Sequence, residues 1–116
     1  MSPSKSPALR LRHIIDEIDS IGRAIGGMSQ AQCADDYVIS RAIERALEIV
    51  SEAVRALPEE WLASYPSIRW DRIKGMGNFL RHEYHLLDGV VIWDAVASKL
   101  PELRHVIVKM LEDAEE

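Results

Sequence analysis

The chain has 116 residues, 47% of them hydrophobic, a formal charge of −5 and one cysteine, Cys33, which suits a single globular domain with a modest core. These values exclude an internal disulfide, and no apolar run approaches the ~20 residues of a membrane span. They also argue against a protein that coats nucleic acid or binds DNA generally, which would carry a broad basic surface.

The opening residues, Met1-Ser2-Pro3-Ser4-Lys5-Ser6-Pro7, hold no apolar stretch that could serve as a signal-peptide core, so a cytoplasmic location is expected. Residues 1–8 read as a flexible segment, 9–112 as a helical domain and 113–116 as an acidic tail. A first helix follows from Leu11, Ile14, Ile15, Ile18, Ile21 and Ile25, spaced three and four apart, with Gly26-Gly27 as its stop. A polar connection through Ser29 and Asp35-Asp36 leads to a second amphipathic helix. Its apolar side runs through Ile39, Ile43, Leu47, Val50, Val54 and Leu57 up to Pro58, and its other face carries Arg41, Glu44, Arg45, Glu48 and Glu52. Pro58-Glu59-Glu60-Trp61 opens a short helical turn that Tyr65-Pro66-Ser67 breaks. A third major helix is expected from Trp70 to about Leu87. Each of its internal glycines, Gly75 and Gly77, costs about 1 kcal/mol relative to alanine, which points to close packing or a ligand there. Asp88-Gly89 reads as a turn whose Asp88 caps the last helix. That helix begins near Val90, and Pro101 either kinks it or restarts it at a first-turn position. No strand pattern competes, so the fold class is all-α: an up-and-down bundle of four to five helices.

The third helix concentrates the polar chemistry. Asn78, Arg81, His82 and His85 lie at i, i+3, i+4 and i+7, the interval that aligns side chains along one helix face. An amide, a permanent cation and two imidazoles that titrate near neutral pH suit the holding and cleavage of a phosphodiester. From Arg69 to His85 the cations Arg69, Arg72, Lys74 and Arg81 outnumber the anions Asp71 and Glu83, against the balance of the whole chain. His82-Glu83-Tyr84-His85 is one residue shorter than the H-E-x-x-H zinc helix, and Gly75-x-Gly77 lacks the strand before and the Lys-Ser/Thr after that a phosphate loop needs. Neither a metal nor another cofactor is expected.

Taken together, Arg41-Ala42-Ile43-Glu44 with Leu47 and Glu52, Tyr65-Pro66, Trp70-x-x-Ile73-x-Gly75-Met76, Asn78-x-Leu80-x-His82-x-Tyr84, Asp88, Trp93 and Leu100-Pro101-x-Leu103 form an ordered set. This set resembles the HepT-like family of the HEPN superfamily, from about Leu9 to Leu111. The resemblance implies a bundle that dimerises with its two motif helices face to face. It further implies a metal-independent endoribonuclease acting as the toxin of a type VII-like toxin–antitoxin system, controlled by a nucleotidyltransferase antitoxin of the MNT type. The family motif reads Arg-Asn-x-x-x-His-x-Tyr, in which the Arg and His cleave RNA and the Tyr accepts AMP. Here Asn78, His82 and Tyr84 match it, whereas the arginine position holds Gly77.

Arg81 stands one turn beyond Gly77 and can return a guanidinium to nearly the same region. Arg81 and His82 are therefore the expected catalytic pair, with Asn78 and His85 supporting and Tyr84 the AMP acceptor. His82 would act as acid or base, and Arg81 would hold the phosphorane-like transition state. The alternative function is a catalytically impaired bundle that serves as binding partner or AMP-acceptor substrate of the nucleotidyltransferase.

Overall fold

The computed structural model of the chain describes residues 6–83 and 89–115, with the backbone alone for 81–83. Every regular element among them is helical: α1 Pro7–Ile25, α2 Gln30–Asp35, α3 Tyr37–Arg55, α4 Glu59–Ala63, α5 Trp70–Glu83, α6 Gly89–Asp94, a π-helical turn Ala95–Lys99 and α7 Leu100–Ala114. Asp88 and the stretch to Leu87 assigned to the third major helix lie outside the described residues.

Local chemistry sets the helix ends. Ser6 Oγ accepts the Leu9 N–H at 3.2 Å, with Pro7 in the first turn of α1, which therefore begins before Leu9. At the other end Gly26 takes φ 55° and its N–H returns to the Gly22 carbonyl, a conformation glycine adopts without a Cβ penalty. The connection expected to be merely polar contains α2. Ser29 and Gln32 form a reciprocal capping box there, the Ser29 N–H donating to Gln32 Oε1 at 2.8 Å and the Gln32 N–H to Ser29 Oγ at 3.2 Å. Six residues give too little apolar periodicity to announce a helix, and only the S-x-x-Q pair signals it. Asp36 ends α2 and caps α3 by accepting the Ile39 N–H at 2.9 Å.

α3 is the central helix, packed against both α1 and α5, while α1 also packs against α7. The core is built from the predicted stripes: Leu11, Ile14, Ile18, Ile21 and Ile25 of α1 meet Ile43, Ala46, Leu47, Val50 and Val54 of α3. Leu100, Leu103, Ile107 and Met110 of α7 close it. Trp70 is buried at the start of α5, its indole N–H donating to the Tyr65 carbonyl at 2.9 Å, and Trp61 and Trp93 are half-buried against the core. Pro101 does not break the last helix. It sits in the first turn of α7, directly after the π turn. Proline donates no N–H and its ring crowds the carbonyl four residues back, so a wider turn before it lets the helix continue.

Candidate active site on the motif helix

The approach of α5 to α3 is fixed by one buried hydroxyl. Ser51, fully buried on α3, donates to the Lys74 carbonyl at 3.1 Å and accepts the Gly77 N–H at 3.0 Å. Arg55 Nη1 donates to the same Lys74 carbonyl at 3.1 Å. The contact is close enough that a Cβ on Gly77 would lie 3.0 Å from Ser51 Oγ and 3.2 Å from Ser51 Cβ. Position 77 therefore faces α3 and has no room for a larger side chain unless Ser51 shifts. Gly75 differs: a Cβ there would meet nothing within 4 Å. Of the two explanations expected for these glycines, close packing or a ligand, close packing holds at Gly77, whereas Gly75 lines an open groove.

Helical backbone continues through Arg81 and His82 to Glu83. At about 100° and 1.5 Å per residue, position 81 lies ~40° round from buried Gly77 and ~6 Å further along, between the faces of Gly77 and Asn78. Asn78 is exposed, and position 82 falls ~40° from it. The side chains of Arg81 and His82, and the whole of Tyr84 and His85, lie outside the described residues.

The basic stretch is partly neutralised by the fold. Arg69 holds Asp71 through two hydrogen bonds at 3.3 and 3.2 Å, keeping that carboxyl below its usual range, and Lys74 is paired with Glu59 at the start of α4. Arg72 has no ion-pair partner among the described residues. The spacing of charges along α5 is thus a poorer guide to local potential than the sequence implied, because Glu59 reaches it from another element.

Two grooves flank α5. One, about 310 Å³, is almost wholly apolar and is lined by Arg72, Gly75, Met76 and Phe79 on one side and Val91 and Ile92 on the other. The second, also about 310 Å³, is polar and runs between Arg41, Glu44 and Glu48 of α3 and Leu80 of α5. Sequence reasoning did not place Glu44 or Glu48 at the site, since both read as solvated members of an outer helix face. Among the described residues no three His, Cys, Asp or Glu side chains are grouped as metal ligands, and no helix is long and apolar enough to cross a membrane.

A compact all-α bundle with an amide-, arginine- and histidine-bearing helix packed tightly on a central helix defines the class of protein. The sequence model of the ribonuclease HepT-like family matches residues 14–110, and the chain belongs to that family. Relatives extend over nearly the whole chain. One named "Putative RNase", from Caldanaerobacter subterraneus subsp. tengcongensis, is 33% identical over 108 residues, covering 93% of this chain and 96% of the relative. Another of the same description, from Methanocaldococcus jannaschii, is 27% identical over 114 residues, 98% of each chain. A "Probable ribonuclease HepT" from Thermococcus cleftensis is 30% identical over 82 residues, 67% of this chain and 74% of that one. No solved structure gives a significant match.

Proposed function

We propose that this chain is a metal-independent endoribonuclease in which Arg81 and His82 carry the reaction, Asn78 positions the phosphate or the imidazole, and His85 assists. The observation that supports a ribonuclease most is the family match over residues 14–110; the tight seat of Gly77 on Ser51 leaves no room for the family's arginine at 77, and Arg81 is the arginine one helical turn on. Within that arrangement His82 takes the 2′-hydroxyl proton or delivers one to the 5′-oxygen. The planar guanidinium of Arg81 holds two phosphate oxygens as charge develops.

One helix face encloses no pocket, so the site is completed by a homodimer in which two motif helices face each other across a two-fold axis. The apolar groove beside α5 supports this, since positions 75, 79 and 82 fall within ~60° of one another around the helix. In the cell the chain acts as a cytoplasmic toxin of a type VII-like toxin–antitoxin system. Its nucleotidyltransferase antitoxin transfers AMP from ATP to the Tyr84 hydroxyl with release of pyrophosphate, bringing a phosphate against the cationic stripe and neutralising it.

RNA cleavage by the wild type with and without EDTA, beside His82→Ala and Arg81→Ala, tests the catalytic reading. Both variants should lose cleavage with helicity unchanged, and chelator should have no effect. The same packing of Gly77 favours the second reading, a bundle without catalysis that serves only as partner or AMP acceptor. That reading requires an uncleaved RNA together with an AMP adduct in intact-mass spectra that disappears in Tyr84→Phe.

A further inference from the structure

A second pocket, about 240 Å³, opens between α2, α3 and α6, and its lining is chemically mixed. Ile43, Ile92 and Trp93 give it apolar and aromatic walls, Gln30 and Glu44 supply an amide and a carboxylate, and Arg41 stands at its edge. It is smaller than the ~300 Å³ at which pockets for drug-sized ligands begin, so it suits one flat ring system rather than an extended ligand. Arg41 and Glu44 also line the polar groove that ends at Leu80, the residue before Arg81. The pocket and the groove thus share two lining residues, and the groove reaches the motif helix at Leu80.

Three details bear on the occupant. Glu44 is half-buried and has neither an ion pair nor a hydrogen bond among the described residues, although Arg41 and Arg45 lie nearby in sequence on α3. Arg45 is paired with Glu48, and Arg41 lies over the Tyr37 ring at 4.3 Å from its centroid. Gln30 Nε2 borders the space above Gly89, where a Cβ would come within 4.0 Å of it. Donor and acceptor are thus left open toward the pocket while the guanidinium is held at its mouth by an aromatic face.

We propose that this pocket binds one unstacked guanine of an RNA substrate, a subsite that rests on the ribonuclease reading and would give that reaction its base preference. Single-stranded RNA is read by stacking splayed bases on aromatic side chains and hydrogen-bonding their edges. Guanine alone among the four bases presents two adjacent donors, N1–H and the N2 amino group, to a carboxylate, with O6 beside them to accept from an amide. Adenine would set its N1 lone pair against Glu44. The adjoining phosphate falls near Arg41, and the strand continues along the groove toward Arg81 and His82.

Binding of guanosine, inosine and adenosine 3′-monophosphates to the full chain, measured by isothermal titration calorimetry, tests the subsite without requiring turnover. Guanosine should bind about ten-fold tighter than inosine, which lacks the amino group paired with the carboxylate. Glu44→Gln should remove that difference, and Trp93→Phe should keep it. Equal affinity for the three nucleotides, no binding of any, or a preference unchanged in Glu44→Gln would overturn the proposal. RNA cleavage without base preference would overturn the subsite and leave the ribonuclease standing. Selective guanosine binding lost in Glu44→Gln, in a chain that cleaves nothing, would sustain the subsite and remove the ribonuclease.

Discussion

At Gly77 the two terms of a glycine substitution oppose each other. Alanine in a helix interior gains about 1 kcal/mol over glycine in propensity, but the added Cβ would press on Ser51, whose hydroxyl already serves the Gly77 N–H and the Lys74 carbonyl. Overpacking of a well-filled contact costs about 1–3 kcal/mol, so Gly77→Ala should be destabilising by roughly 1 kcal/mol net. Gly75 shares the helix and meets nothing. Gly75→Ala should therefore stabilise, by about 0.5–1 kcal/mol. Urea denaturation followed by circular dichroism compares the two, and a Gly77→Ala as stabilising as Gly75→Ala would show that packing against Ser51 does not govern position 77.

Between elements, the clearest polar tie joins the two outer helices of the core. Arg104 of α7 donates to both carboxylate oxygens of Asp19 on α1 at 2.7 and 3.1 Å. The hydrogen bonds and charge of Arg104 hold the Asp19 carboxyl below its usual 3.8. A depressed folded pKa means that the unfolded chain binds the proton more readily. The contribution is therefore complete above the unfolded value and fades as pH falls below 3.8 through the lower folded one. Both side chains are more than a third exposed, 42% and 35%, so solvent screening limits the pair to less than about 1 kcal/mol. Asp19→Asn should lower the thermal midpoint slightly at pH 7, and the difference should shrink as the pH falls below 3.8 and Asp19 takes up its proton. A deficit that stays the same as the pH falls below 3.8 would mean that geometry rather than charge is lost.

For the whole molecule, exposed apolar side chains occur at the start of α3, where Tyr37 and Val38 are 71% and 70% exposed, and beside the groove between α5 and α6. Phe79 is 40% exposed, Val90 60% and Val91 59%, and the groove between these helices has hardly any polar lining. Contiguous exposed apolar surface is commonly an interaction site. A second copy of the chain is the occupant that would also complete a catalytic face. Phe79→Glu should convert a dimer into monomers in sedimentation velocity at micromolar concentration and abolish cleavage, while helicity is retained. A wild type that sediments as a monomer at that concentration would remove both the dimer and the shared site.

The amino-acid sequence by itself determined the helical class, the inward stripes of α1 and α3, and the stop at Gly26, because periodicity and capping act over a few residues and need no partner. It also carried the family likeness, since order and spacing are linear properties. The tertiary structure decided what depends on which surfaces meet. It separated Gly77, seated on a buried serine 26 residues away, from Gly75 in open space. It paired Lys74 with Glu59, chose for Pro101 the first turn of a new helix after a π turn over a kink, and brought Glu44 to a pocket beside Trp93. Each of these follows from side chains distant in sequence competing for the same small volume, and local spacing carries no record of that competition.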